Sequence, residues 1–447
     1  MPFFNFSTYF KKPISLLQLI QFSKFFTYLI LSIILVKSTF SPELIGKFEK
    51  FSFLSYTFTF FWINSFIQIL FAIYNKLNFT EKKIFLFNFF LLLFLFTILF
   101  TLIIFVAEKE ISKIFINEES IPFSHLFYIY FFLIPFSLSI DFILYVLNKK
   151  KALINFILLT SLLFIILLSC TFLKKNITYI IKALILFHLT RFIIFLYITF
   201  KNSLPHFRLN YLIKVTKLSL PLFLTFIISG HLMYIDGIII SKNFDNATFA
   251  IYRYGTRELP LSILFLVPFS NAMVSLLASS YNIKTTLKVF KYQIFRLMRI
   301  TFMLSIVLTI ISPFIFLVLY SKEFLLSSII FNITLLLIIP RLLIFQPFLI
   351  AQNKTKEILI SSVVELIIKI LFAFLLTKLF GIIGLALSSF FSNFSEKFIL
   401  YYYLKKFFSI SFNEILPVKN YLIYSTLLIF SVLIVNFICY KFLKTLV

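Results

Sequence analysis

The run from Phe85 to Val106 reads FLFNFFLLLFLFTILFTLIIFV, in which Asn88, Thr97 and Thr101 are the polar members. About 20 apolar residues at 1.5 Å rise cross roughly 30 Å of hydrocarbon as a helix, so this run is a membrane span. It lacks the alternation of apolar and polar residues that a membrane β-strand needs, which excludes a β-barrel. Similar runs recur along all 447 residues, of which 61% are hydrophobic and 13% charged. A mean hydropathy of +1.05 is incompatible with a water-soluble surface. The fold class that follows is an all-α polytopic membrane protein with short loops and no room for a separate soluble domain.

A window of about 19 residues predicts spans at Ser15 to Val36, Phe51 to Tyr74, Ile84 to Val106, Phe123 to Leu147, Leu153 to Leu173, Tyr179 to Phe200 and Thr216 to Ile240. Further spans follow at Thr248 to Ser279, Ile294 to Tyr320, Leu325 to Ala351, Ile358 to Leu379, Ile382 to Leu404 and Tyr421 to Tyr440. That makes about 13 transmembrane helices. The first is read as a retained span, because Lys11 and Lys12 lead into it and no A-x-A site follows.

A net charge of +26 would point to nucleic acid in a soluble protein. Here it is spread over loops, where lipid head groups and orientation account for it, so no nucleic-acid partner is expected. Lys82, Lys83, Lys149 to Lys151, Lys201, Lys214 and Lys288 fall on one side with the N-terminus, while Glu108, Glu110, Glu118 and Glu119 fall on the other. The positive-inside rule then places the N-terminus in the cytoplasm. Cys170 and Cys439 lie in apolar runs without metal or redox spacing, so neither a disulfide framework nor a metal site is expected.

The connection from Phe40 to Phe48 is weakly matched by Phe244 to Tyr252, at the same place in each set of six spans. Ser41, followed by Pro42, and Asp245 are both expected to cap the helices they precede. This repeat predicts two six-helix lobes, 1–200 and 218–406, related by a pseudo-twofold axis. A basic cytoplasmic linker, 201–217, joins them, and one extra C-terminal helix occupies 407–447. Transporters built from repeats bind substrate at the repeat interface near the midplane.

Four stretches carry a resemblance to a family. Ser41-Pro42-Glu43-Leu44-Ile45-Gly46-Lys47 is similar to its "LSPEEFG" turn. Leu220-Pro221-Leu222, then Met233 to Ser241 and Ala250-Ile251-Tyr252, follow its seventh and eighth helices. Ala351-Gln352-Asn353-Lys354-Thr355-Lys356 stands where it has a short "G-K-T/N" cytoplasmic turn, and Phe380 to Ala386 is similar to its "G-I-x-G-A-A". In their order and spacing these stretches resemble the O-antigen type of polysaccharide biosynthesis flippase, in the multidrug/oligosaccharidyl-lipid/polysaccharide export superfamily.

The resemblance implies a bacterial inner-membrane transporter that needs no cofactor. It would move an undecaprenyl-diphosphate-linked oligosaccharide outward by alternating access through a cationic central cavity, for O-antigen, capsule or exopolysaccharide assembly. A monomer among membrane lipids is expected, with the polymerase and glycosyltransferases of the same pathway as partners. An unpaired anion costs tens of kcal/mol to bury by Born estimates, so intramembrane basic residues are the candidate contacts. These are Lys24, Arg191, Arg253, Arg257 and Arg341. A guanidinium can grip a diphosphate bidentately, whereas interface anchoring and snorkelling are the alternative uses of these side chains. Lys24 stands where some lipid flippases of the superfamily present arginine.

Asp236 matches an acidic position of the family and, with Asp141 and Glu365, is either an ion-coupling group or a structural partner. Glu365 and Lys369 have the four-residue spacing of an intrahelical pair. His188 reads as a packed histidine or a proton carrier. Two other functions compete. A cation-coupled multidrug exporter would favour an acidic cavity, whereas the intramembrane balance here is basic. A membrane enzyme such as an O-antigen polymerase needs a long outer loop, and Ala107 to Pro122 is short. The expected class is transport, with no catalytic residue.

Overall fold

The computed structural model describes residues 13–38, 40–74, 77–172, 176–229, 231–256, 283–352 and 354–446, with isolated positions between 265 and 277. Every regular element among them is helical. The helices are α1 Pro13–Lys37, α2 Pro42–Tyr74, α3 Phe79–Val106, α4 Glu108–Phe115, α5 Ser124–Val146, α6 Lys150–Phe172, α7 Ile177–Lys201, α8 Leu209–Ser229, α9 His231–Asn243 and α10 Asn246–Gly255. They continue as α11 Ile283–Leu319, α12 Leu325–Leu335, α13 Ile338–Arg341, α14 Gln346–Ala351, α15 Thr355–Phe408, α16 Phe412–Ile415 and α17 Val418–Leu446. Ten described segments are long and apolar enough to cross a membrane. The chain is a multi-pass, all-helical membrane protein.

Two compact units divide at Phe249 and Ala250, within α10. In the first, α5 packs on α2, α3 and α7, while α6 packs on α1 and α7 and α2 on α8. α5 is the most buried of the described spans in this unit. Phenylalanine supplies much of the core: Trp62 stacks on Phe100, and Phe66 meets Phe96 and Phe223 edge to face. These rings fill space between helices. In the second unit α12 is the most buried span and packs on α11, α15 and α17. The C-terminal α17 is stitched in by polar bonds: Asn332 Nδ2 donates to Asn436 Oδ1 at 2.8 Å, and Tyr421 Oη donates to the Ile339 carbonyl at 3.0 Å.

One expected span takes a different form. The tenth is not one helix, since Pro340 and Pro347 bracket a non-helical stretch, 343–345, between α13 and α14. Proline lacks the N–H that would extend the ladder and crowds the preceding turn. The boundary expected between the eleventh and twelfth spans falls at Gly381, whose φ of 59° and ψ of −141° divide α15 into two helical halves, in a region reserved for glycine. The eighth span beyond residue 256, including Arg257, lies outside the described residues except for isolated positions.

The two matched connections meet. A Cβ on Gly46 would lie 1.7 Å from the Asn246 carbonyl oxygen, so only glycine admits this approach of α2 to the start of α10. The Leu44 N–H donates to Ser41 Oγ at 3.3 Å, and the Thr248 N–H to Asp245 Oδ1 at 2.9 Å. Both caps therefore have the expected partners. Bonds from Thr248 hold the Asp245 carboxyl below its ordinary pKa.

Candidate functional site

Charged side chains inside a membrane protein mark a site when packing converges them. Within the first unit four helices do so. α1 brings Ser23 and Lys24, α5 brings Ser137 and Asp141, α6 brings Thr160 and Ser161, and α7 brings His188 and Arg191; all eight line one cavity. Helical periodicity accounts for the pairing, since Ser137 and Asp141 are four apart and His188 and Arg191 three apart, so each pair shares a face. Pro135 interrupts the α5 ladder just before this stretch.

Arg191 is held on every nitrogen. Nε donates to the Ser137 carbonyl at 3.1 Å and Ser137 Oγ at 3.0 Å, and Nη1 to Thr160 Oγ1 at 3.2 Å. Nη2 donates to the Ser137 carbonyl and to Asp141 Oδ2, both at 2.8 Å. The guanidinium also lies 4.9 Å from the centre of the Phe156 ring and 5.6 Å from that of Phe187. Lys24 approaches the same Asp141 oxygen at 3.6 Å and lies over Phe142 at 4.7 Å. Two cations thus share one carboxylate, leaving a formal excess of one positive charge. Asp141 Oδ1 is buried without a hydrogen-bond partner among the described residues. The cavity has a volume of ≈ 50 Å³.

His188 is a packed residue here, with Nδ1 bonded to Ser137 Oγ at 2.8 Å and its ring edge-on to Tyr130. The site thus unites Lys24, Asp141 and Arg191 of the sequence candidates. Asp236 is buried on α9, and Arg253 is half-buried on α10. In the second unit Glu365 lies within electrostatic reach of Glu396, Lys397, Arg341 and Lys369. Lys369 is fully buried and reaches across the bend, donating to Ser388 Oγ and Ser389 Oγ, both at 2.7 Å. Gln346 Nε2, in the first turn after the break, donates to Glu396 Oε1 at 2.9 Å. Sequence reasoning missed Ser137, Thr160, Gln346 and Glu396. Ser137 carried a signal in its spacing from Asp141, and Glu396 in being an acid inside an apolar run.

Against solved structures the fold is recognised. The lipid II flippase MurJ in its inward closed conformation superimposes with a TM-score of 0.70 at 19% identity, covering 96% of this chain and 98% of that one. The chain shares the fold of that flippase. An inward-facing MATE-family multidrug resistance transporter shares that fold at a TM-score of 0.63 and 14% identity, over 85% of this chain and 94% of its own. A superfamily transporter from Pyrococcus furiosus, described as having a binding pocket of reverse polarity, matches at 0.55 and 13% identity, over 88% and 93%. No protein-family model matches the sequence, and no curated protein matches it.

Proposed function

We propose that this chain is a transporter that carries a lipid-linked, diphosphate-bearing oligosaccharide from the cytoplasmic to the outer leaflet of a bacterial inner membrane. The observation that carries the reading is the Lys24, Asp141 and Arg191 cluster, a buried cavity with more cation than anion. A cationic drug entering it would meet net repulsion, whereas a diphosphate of charge about −2 gains attraction strengthened by the low local dielectric. Among these groups Lys24 is the contact able to reach cargo: its side chain is 24% exposed, and its ammonium has three donors. Arg191 and Asp141 set its position. The O-antigen type of repeat unit fits the sequence resemblance, and the MurJ-like fold supports a lipid carrier.

The test is translocation in proteoliposomes of a fluorescent undecaprenyl-diphosphate-linked oligosaccharide, read as loss of quenching by an impermeant reagent. Wild-type protein should move it, and Lys24→Gln should slow it at least tenfold. Absence of translocation by the wild type, together with efflux of a cationic dye from cells expressing it, would replace this reading with drug export.

A further inference from the structure

We infer that Asp141 acts as a latch on Lys24: it holds the ammonium when no anion is bound and yields it to a phosphate-bearing ligand, so that it limits affinity and speeds release. The inference rests on the reading of Lys24 as the cargo contact and adds a competitor for that contact. Its basis is the inequality of two bonds to one oxygen. Arg191 reaches Asp141 Oδ2 at 2.8 Å, whereas Lys24 stands at 3.6 Å, an ion pair without a direct hydrogen bond.

Arg191 has nowhere to go. Each of its three nitrogens donates to Ser137, Thr160 or Asp141, and Phe156 and Phe187 lie beside its guanidinium. Lys24 is different: its polar attachment within the described residues is the loose pair with Asp141, and its side chain is the more exposed of the two. A flexible four-carbon stem lets such an ammonium turn without moving a helix.

The neighbourhood fits phosphate. Ser23 Oγ and Ser161 Oγ, 3.2 Å apart, stand beside Lys24 in the cavity wall and supply hydroxyl donors. A phosphate that takes Lys24 leaves Asp141 with Arg191, so the carboxylate keeps a partner throughout. When the anion departs, Asp141 recaptures the ammonium, and the two cations do not face each other uncompensated.

The test uses the purified full chain in detergent micelles, titrated with undecaprenyl diphosphate and separately with inorganic diphosphate. Asp141→Asn should bind both about tenfold more tightly, equivalent to 1.4 kcal/mol, with slower dissociation, and the double variant with Lys24→Gln should lose that gain. Unchanged or weaker binding by a folded Asp141→Asn protein overturns the latch, as does a gain that persists without Lys24. Tightening for the lipid alone also overturns it, because recognition would then lie on the polyprenyl chain. Lys24→Gln by itself separates the two readings. If it weakens binding while Asp141→Asn does not tighten it, the latch fails and the cargo contact stands; if it has no effect, both fail. Should Asp141→Asn not fold, carbodiimide labelling of Asp141 in the wild type, read by mass spectrometry, supplies the answer. Labelling should rise when undecaprenyl diphosphate is added, and constant labelling overturns the proposal.

Discussion

Arg191 on α7 and Asp141 on α5 join two helices of the first unit that pack along one another through a 2.8 Å ion pair in which the arginine leaves no nitrogen unused. Such a pair is a weak source of net stability but a costly one to break, since the surviving charge stays buried. Arg191→Met should therefore lower stability by about 3 kcal/mol, the lower end for a buried pair losing one partner, because Lys24 remains beside Asp141. Arg191→Lys keeps the charge but cannot reach Ser137 and Thr160 together, so it should also melt early. Thermal unfolding in detergent checks this, and wild-type melting of both variants would show that the brace is unimportant.

The members of this site were legible one at a time. Lys24, Asp141 and Arg191 each stood out as a charge inside an apolar run, which lipid does not tolerate without a partner. Their convergence was not legible, because it depends on α1 lying against α6 and α5 against α7, an order of packing that hydropathy does not encode. Span existence followed from length and apolarity alone, and the boundary between the eleventh and twelfth spans fell where Gly381 turns the chain. The tenth span read as one apolar run, and the loss of helix over 343–345, between Pro340 and Pro347, was not legible from hydropathy.

Gly381 and Gly46 are required for different reasons, and substitution separates them. At Gly381 a Cβ would meet nothing within 4 Å, so the demand is the backbone angle of 59° itself. Gly381→Ala should cost about 1–3 kcal/mol as backbone strain, and a bulkier side chain such as serine should cost about the same. At Gly46 the obstacle is the Asn246 backbone at 1.7 Å, and the penalty should grow with side-chain size. Melting temperatures of Ala and Ser variants at both sites give the comparison. Equal size dependence at the two sites would contradict this division.

Orientation is open to direct labelling. The excess of lysine on the loops at Lys83, Lys150 and Lys288, against Glu119 and Lys242 on the opposite connections, predicts a cytoplasmic N-terminus. Single cysteines at Lys83, Lys150 and Lys288 should resist an impermeant thiol reagent added to intact cells, and those at Glu119 and Lys242 should react. Each of these lies outside the buried core, so failure to react would report the side of the membrane. The opposite pattern would invert the proposed direction of transport.

Membrane potential supplies the last expectation. An anion moving outward across an inside-negative membrane gains roughly 2.3 kcal/mol per charge per 100 mV when its charge is uncompensated. Lys24 and Arg191 do not cancel that charge in transit if they remain on α1 and α7, yet Asp141 already neutralises one of them. The cavity therefore contributes a formal single positive charge against a cargo of about −2, and net negative charge should cross. Imposing an inside-negative potassium diffusion potential on proteoliposomes should accelerate outward transfer of the undecaprenyl-diphosphate glycan several-fold, and inverting the potential should retard it. Lys24→Asp/Asp141→Lys, which exchanges the partners without altering the total charge, should retain the voltage response even where it slows turnover. A rate independent of potential in the wild type would mean that cargo charge is matched by a co-moving cation, and this account of the driving force would fail.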